Sequence, residues 1–125
     1  MTADREGNAR LPQIVGDTSE LPSLGGGAAW RLEPDERGLD ANIIDLPAGD
    51  EIASHIGPDL DVLIHVLAGD GAIETEEGFL ALDTGKIVWL PRRSRRRLLA
   101  GPNGLRYLSV HQRKPGLSIT GRPPG

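Results

Sequence analysis

The feature that most limits how this chain can fold is the apolar segment 61–68, DVLIHVLA. Valine, leucine and isoleucine crowd into it and turn residues bound it on both sides, a pattern typical of a buried β-strand rather than a helix. Both of its faces are apolar, one with Val62, Ile64 and Val66 and the other with Leu63, His65 and Leu67. A strand with one face in water would alternate with polar residues. We therefore predict that one face meets the core and that the other meets a second sheet or a second subunit.

Glycine and proline divide the rest of the chain into short segments. The 17 glycines and 10 prolines separate apolar runs instead of forming a low-complexity tract. We predict turns at 69–71 and 101–104, and further strands at 28–32, 39–46, 51–55, 72–76, 79–82, 86–90 and 105–113. We find no amphipathic helix of useful length and no solenoid repeat. The pattern predicts an all-β chain of about eight to ten short strands, arranged as a sandwich or a barrel.

The length of 125 residues suits one domain with a core of its own. Residues 1–27 are polar and lack a sustained period, so we expect a weakly ordered segment in which 14–24 can hold one short strand or turn docked on the body. Residues 28–113 are predicted to form the β-barrel. The proline- and glycine-rich residues 114–125 are predicted to form a flexible tail.

Composition excludes several classes of protein. The chain has no cysteine, which rules out disulfides and thiolate metal sites and fits a reducing compartment. Its first residues contain no apolar stretch that could serve as a signal peptide. No apolar run approaches the ~18 residues that a membrane-spanning helix needs. We therefore expect a soluble, cytoplasmic protein with no membrane partner.

The net charge of −4 conceals a strong segregation of charge along the chain. Residues 1–83 hold all 18 acidic residues and four basic ones, whereas residues 84–125 hold ten basic residues and no acidic one. An anionic partner is one explanation, and pairing of basic with acidic strands inside one sheet is the explanation we favour. The arginine run 92–97 does not predict a nucleic-acid partner, because aromatic residues are scarce and a strand would divide the arginines between two faces.

The spacing of several turn residues resembles the cupin family. Gly49 is followed by five residues and then His55, Gly69 closes the first motif, and Gly85 and Pro91 stand at the spacing of the second. The segment PAGDEI and the cadence VLxGxG are also similar to cupin sequences. The resemblance covers roughly residues 39–111. It implies a cupin-type β-barrel, which is a double-stranded β-helix or jelly-roll sandwich.

The residues at the cupin metal positions differ from those of the family. Cupin enzymes hold a divalent metal with two histidines and a glutamate from the first motif and a histidine from the second. Here His55 keeps the first position, while Gly57, Val62 and Arg96 occupy the other three. Glycine and valine have no ligating side-chain atom, and arginine is a permanent cation that repels a metal. We therefore predict no metal site and no cofactor.

The resemblance places His55 and Arg96 opposite each other across the barrel cavity. A guanidinium and an imidazole together suit a carboxylate or a phosphate. The leading hypothesis is a protein that binds a small polar or anionic organic molecule through His55 and Arg96, without the usual metal. The alternative for Arg96 is an internal ion pair with an acid such as Asp59 or Asp61, which would fill the space of the metal.

Two other functions stay open, and no catalytic residue is assigned. One is an enzyme: an isomerase, lyase or cyclase that uses His55 with a nearby carboxylate, or a dioxygenase with a non-standard metal site. The other is a non-catalytic sensory or structural module, and we expect a homodimer. We also expect His65 to point away from the cavity, His111 to be exposed or packed at a strand end, and Trp89 to lie in the core.

Overall fold

A computed structural model describes residues 11–22 and 26–113 of the chain. A 3-10 helix spans Thr18–Glu20, and the described strands are β1 (Gly27–Arg31), β2 (Leu39–Leu46), β3 (Glu51–Ile56), β4 (Val62–Thr75), β5 (Gly78–Asp83), β6 (Ile87–Leu90) and β7 (Arg95–Gln112). All strand pairs among these are antiparallel. The all-β prediction is confirmed, and the predicted strand 39–46 has the bounds of β2.

Two long strands, β4 and β7, organise the fold because they pair with each other along most of their length. The second half of β7 also pairs with β2, which pairs with β1, and the first half of β4 pairs with β6. The first half of β7 pairs with β3, and the second half of β4 pairs with β5. The strands therefore form two layers. The first layer contains β1, β2, β6, the first half of β4 and the second half of β7. The second layer contains β3, β5 and the remaining halves of β4 and β7. Both layers contribute to one core that includes Ile64, Val66, Ile73 and Leu98.

The predicted turns at 69–71 and 101–104 are wrong, because both segments lie inside continuous strands. Gly69 and Gly104 adopt left-handed φ values of 83° and 78°, and the β4–β7 register shifts beside Gly69. A Cβ on Gly69 would overlap the backbone carbonyl of Gly104, so the two backbones approach closely there. Glycine here bends a strand from one layer into the other instead of ending it. The described chain consequently has seven strands, fewer than predicted.

The two faces of β4 follow the predicted alternation. Val62, Ile64 and Val66 are buried, whereas Leu63 is 47% exposed on the opposite face. The strand therefore has one face on the core, as predicted. The other face is open to solvent over part of its area.

Basic residues of the C-terminal part of the chain pair with acidic residues of the N-terminal part. This confirms the predicted pairing of basic with acidic strands inside one sheet. Arg97 on β7 forms ion pairs with Glu51 on β3 at 2.7 Å and with Glu74 on β4 at 3.0 Å. Arg106 on β7 binds Asp45 on β2 at 2.6 Å, and this carboxylate is buried. The basic strand β7 therefore lies between acidic strands.

Residues 11–22 dock on the first layer. Trp30 donates from Nε1 to the carbonyl oxygen of Val15 at 2.9 Å, and Arg106 donates to the carbonyl oxygen of Pro22. Asp17 caps the short 3-10 helix by accepting hydrogen bonds from Ser19, which lowers the pKa of the Asp17 carboxyl. The predictions for 1–10, 23–25 and 114–125 concern residues outside the described part of the chain. No helix in residues 11–22 or 26–113 is both long and apolar enough to span a membrane.

Candidate functional site

Arg96 is the largest of the completely buried side chains in the described part of the protein. It lies near the start of β7 and points into the interior, as Leu98 does two residues later. Its Nη1 donates to the carbonyl oxygen of Ser94 at 3.1 Å. Its Nε and Nη2 have no hydrogen-bond partner among the described residues. The barrel thus encloses a guanidinium in which two of the three nitrogens have no partner among the described residues.

Gly57 packs its backbone directly against this guanidinium. A Cβ at Gly57 would overlap Arg96 Nη1, so only glycine fits beside the arginine in this arrangement. The N–H of Gly57 donates to the carbonyl oxygen of Ser94 at 2.9 Å, the same oxygen that accepts from Nη1. The end of β3 and the start of β7 are therefore joined around the Arg96 head group.

His55 lies beside Arg96 rather than across the cavity from it, which corrects the arrangement expected from the sequence. The two residues are register partners on the neighbouring strands β3 and β7, and directly opposed residues of an antiparallel pair share one face. An irregularity between Ile52 and His55 brings both of these residues to the inner face. His55 is half-buried, and its Nδ1 lies 2.9 Å from the carbonyl oxygen of Ala53.

Further polar groups line the interior, and sequence reasoning missed them. Tyr107 and Ser109 are buried on the inner face of β7, and neither hydroxyl has a hydrogen-bond partner among residues 11–22 and 26–113. Asn42 on β2 is the register partner of Ser109, and its Oδ1 is likewise buried without a described partner. Alternation along LRYLSV would have placed Tyr107 and Ser109 on the same face as Leu105.

The electrostatics of the interior favour a positive site at neutral pH. Burial lowers the pKa of the Arg96 guanidinium, and the charge interaction with Tyr107 opposes that change. Arginine nevertheless stays protonated in proteins. Burial raises the pKa of the Tyr107 hydroxyl well above its ordinary value, although the neighbouring guanidinium opposes this shift. Tyr107 is therefore neutral beside a cationic Arg96.

The acids proposed as internal partners of Arg96 bind other arginines. Asp59 forms an ion pair with Arg93 at 3.2 Å, and Asp61 accepts a hydrogen bond from the backbone N–H of Arg92 at 3.0 Å. Arg96 therefore does not form an ion pair with Asp59 or Asp61. This alternative, which the sequence had left open, is wrong. Glu51, a third acid near His55 in the sequence, binds Arg97.

The turn 91–94 carries the one non-glycine residue with a left-handed backbone among those described. Arg93 has φ 61°, and the N–H of Ser94 donates to the carbonyl oxygen of Pro91 at 3.1 Å. The N–H of Arg93 also donates to the carbonyl oxygen of Pro58 at 2.8 Å. The turn therefore holds Ser94, the acceptor of Arg96, against the loop that follows β3.

Comparison with known proteins shows a shared fold. No protein-family model and no curated protein matches the chain. Among solved structures, the cupin domain of Cnp3 from Schizosaccharomyces pombe has a TM-score of 0.66 at 19% identity, over 82% of this chain and 71% of that one. A cupin protein from Bacteroides fragilis has a TM-score of 0.58 at 18% identity, over 81% of this chain and 91% of that one. The chain has the cupin fold.

A conserved protein of unknown function from Streptococcus pyogenes has a similar fold. Its TM-score is 0.64 at 18% identity, over 86% of this chain and 92% of that one. The resemblance seen in the spacing of Gly49, Gly69, Gly85 and Pro91 is thus matched by the three-dimensional structure. These similarities concern the fold. Fold alone does not determine function, so the chemistry of this protein depends on the side chains in its cupin barrel.

The residues at the four cupin ligand positions do not fit a divalent metal. His55 offers an imidazole, but Gly57 has no side chain, Val62 belongs to the apolar core and Arg96 is a cation. No group of three or more histidine, aspartate or glutamate side chains among the described residues could hold a metal ion. The donor set therefore gives no support to metal chemistry in this cupin barrel.

The structure also gives the positions of the two other histidines and of Trp89, which the sequence had predicted. His65 points to the outer face between buried Ile64 and Val66, as predicted. His111 is half-buried near the end of β7, with Nδ1 2.9 Å from the carbonyl oxygen of Gln112. The prediction that Trp89 lies in the core is wrong: it is 62% exposed, because its neighbours Val88 and Leu90 take the inward positions of β6.

Proposed function

We propose that this protein binds a small anionic organic molecule inside its cupin barrel, with Arg96 as the principal contact. The observation that carries the proposal is the completely buried guanidinium whose Nε and Nη2 have no partner among the described residues. A buried cation without a counter-charge costs several kcal/mol. A bound anion removes this cost, so the folded protein is suited to take one up.

The pattern of used and unused nitrogens indicates the chemical class of the ligand. Nη1 of Arg96 is engaged by Ser94, which leaves the edge formed by Nε and Nη2. On this edge two N–H groups point in parallel, and they match the two oxygens of a carboxylate or of a phosphate. A two-point contact of this kind also fixes the orientation of the ligand.

The hydroxyl of Tyr107, which interacts with Arg96, adds specificity to this site. Tyr107 stays protonated because burial raises the pKa of its hydroxyl, so it can donate to a ligand oxygen. Ser109 follows on the same face of β7, and its Oγ is buried without a described partner. His55 is the cross-strand neighbour of Arg96 on the inner face. A small hydroxylated or keto carboxylate would use more of these groups than a simple fatty acid.

We assign no reaction to the site. The described hydrogen bond of His55 goes to the carbonyl oxygen of Ala53, and Glu51 is engaged by Arg97. No catalytic pairing of His55 with a carboxylate is therefore favoured by these contacts. Binding without chemistry is the function that the arrangement supports best.

Thermal unfolding of three proteins tests the proposal: the wild type, Arg96→Met, and the matched control Arg95→Met. Arg95 is the exposed neighbour of Arg96, so its replacement removes the same charge without changing the interior. A screen of small carboxylates and organic phosphates should raise the Tm of the wild type and of Arg95→Met, since a ligand of the native state adds about 2.7 kcal/mol at a hundredfold excess over Kd. Arg96→Met should show no such rise.

Two results would contradict the proposal. One is a screen in which no carboxylate or phosphate stabilises the wild type. The other is a ligand that stabilises Arg96→Met as strongly as it stabilises Arg95→Met. Circular dichroism of each variant establishes that it is folded before the comparison is made.

A further inference from the structure

A groove lies between the docked residues 11–22 and the end of β1, and we call it the Trp30 groove. It has a volume of about 750 Å³ and is lined by residues 13–15, 30–31 and 33–36. One part of its lining is apolar, with Ile14 91% exposed and Val15 41% exposed. The hydrogen bond from Trp30 Nε1 to the carbonyl oxygen of Val15 fixes the two sides of the groove relative to each other.

The other part of the lining carries excess negative charge. Glu33, Asp35 and Glu36 are all exposed there. None of these carboxylates forms an ion pair within the described part of the chain. Arg31 is the one basic residue of the lining. A surface of this kind complements a segment that carries both basic and apolar side chains.

Strand β7 delivers the chain to the rim of the Trp30 groove. The N–H of Arg113 donates to the carbonyl oxygen of Gly38 at 3.0 Å, and its Nη1 donates to the carbonyl oxygen of Asp35 at 2.9 Å. Asp35 itself lines the groove, so residues 114–125 begin beside it. Twelve residues extend up to about 40 Å, so every part of the groove is within their reach.

We propose that residues 114–125 of the same chain occupy the Trp30 groove. This segment, KPGLSITGRPPG, contains two basic residues, Lys114 and Arg122, and no acidic residue. Its charge is therefore opposite to that of the groove. The segregation of basic residues toward the C-terminal end of the chain thus continues in a segment that can neutralise the carboxylates of the lining.

The apolar residues of the segment match the apolar part of the lining. Leu117 and Ile119 are two positions apart. In an extended segment they therefore share one face, which can cover the exposed side chains of Ile14 and Val15.

Covalent attachment favours this segment over a separate peptide as the occupant. Ion pairs at a surface are weak one by one, so a basic peptide that arrives from solution gains little from them. A segment tethered at the rim acts at an effective concentration on the order of millimolar. Pro115, Pro123 and Pro124 also restrict the free segment, which lowers the entropy lost when it docks.

A spin label on the full chain tests the proposal, because the chain has no native cysteine and Ser118→Cys supplies a single attachment point. In an extended segment Ser118 faces away from Leu117 and Ile119, so the label does not replace an apolar contact. The label should broaden the amide NMR signals of Ile14 and Val15. Molar salt should reduce this broadening, because it screens exposed charges.

Charge removal from the groove should have the same effect as salt. In Glu33→Gln/Glu36→Gln the ratio of docked to free segment should fall about fivefold, because two surface ion pairs are lost. The matched control is Glu76→Gln/Glu77→Gln, which removes the same charge from exposed positions between β4 and β5. The broadening in this control should equal that in the protein with neither change.

Fluorescence provides a second measurement that does not require the label. Trp89→Phe leaves Trp30 as the sole tryptophan of the chain. In this background Leu117→Ser/Ile119→Ser should shift the Trp30 emission to the red and increase its quenching by acrylamide, because the groove opens to solvent. Ser118→Ala, on the other face of the segment, should leave both quantities unchanged.

Four results would overturn the proposal. They are a label that does not broaden Ile14 and Val15, broadening that Glu33→Gln/Glu36→Gln leaves unchanged, and Trp30 emission and quenching that Leu117→Ser/Ile119→Ser leaves unchanged. The fourth comes from mixing spin-labelled chains with unlabelled isotope-enriched chains. Broadening in that mixture as strong as within one chain would assign the groove to the segment of a second copy.

Discussion

The guanidinium of Arg96 fills the volume in which a side chain at Gly57 would begin. Both residues donate a hydrogen bond to the carbonyl oxygen of Ser94, at 3.1 Å from Arg96 Nη1 and 2.9 Å from the N–H of Gly57. The cupin resemblance implies a metal ligand at each of these two positions. Here one position has lost its side chain and the other has gained a long cation that occupies the space, so the two residues form one unit.

Gly57→Ala should destabilise the protein because the new methyl group collides with the Arg96 head group. Forcing one extra carbon into a packed interior costs about 1–3 kcal/mol. Urea denaturation measures this, with Gly38→Ala as the control, because a Cβ at Gly38 meets nothing and the backbone there has no positive φ. In an Arg96→Ala background the same Gly57→Ala change should cost much less. Equal costs in both backgrounds would show that the two residues do not interact.

Arg93→Gly should be more stable than Arg93→Ala by about 1 kcal/mol. Both variants lose the exposed ion pair with Asp59, but only glycine adopts the left-handed φ of 61° without strain. The free energy of unfolding of the two variants measures the strain directly. The backbone of Arg92 is not left-handed, so there the order should reverse, and Arg92→Ala should be more stable than Arg92→Gly. The same order at both positions would contradict the strained turn.

Tyr107 should ionise only at high pH, and as the sole tyrosine of the chain it reports this itself. Burial raises its pKa above the ordinary value of 10.0. The folded state therefore holds this proton more tightly than the unfolded state, so the contribution to stability is intact below about pH 10 and is lost as the pH rises through the folded pKa. Tyrosinate absorbance near 295 nm should stay absent in the native protein up to about pH 11, while the protein in denaturant titrates near 10.

The positive charge of Arg96 partly offsets the rise in the pKa of Tyr107 that burial causes. Arg96→Met removes this charge, so it should move the onset of tyrosinate absorbance to still higher pH. The exposed control Arg95→Met should leave the titration of the wild type unchanged. A native tyrosine that titrates near 10 in the wild type would contradict the enclosed position of Tyr107 beside Arg96.

Asp45→Asn should cost about 3 kcal/mol, because it leaves Arg106 without its charge partner in a buried setting. Asp45 accepts from Arg106 Nε at 2.6 Å and from Nη2 at 2.9 Å, and this hydrogen bonding raises the pKa of the guanidinium. Asp83→Asn is the control, since its ion pair with Lys86 at 2.7 Å is exposed and should contribute less than 1 kcal/mol. Chemical denaturation that gives equal losses for both would refute the structural role of the buried pair.

The sequence was sufficient to predict the positions of most strands and the inner face of β4, because alternation of apolar residues carries both. It missed residues 95–100 of β7, where the run of arginines hides the alternation. It could not show that β4 and β7 continue through their glycines, since a turn and a bulge have the same composition. The bend between residues 100 and 105 also decides which side Tyr107 and Ser109 face. The position of Trp89 was misjudged because a four-residue strand has too little pattern to fix its inward side. The partners of Asp59 and Asp61 depend on loop geometry that sequence spacing does not contain.

The central claim is that the Nε–Nη2 edge of Arg96 binds an anion inside the barrel. The most direct measurement is a high-resolution crystal structure of the protein grown with the carboxylate that raises its Tm most. We predict two ligand oxygens within 2.7–3.2 Å, the ordinary hydrogen-bond range, of Arg96 Nε and Nη2. We also predict that the hydroxyl of Tyr107 contacts the same ligand. A ligand bound elsewhere, or an Arg96 whose two nitrogens contact only protein atoms or water, would contradict the account.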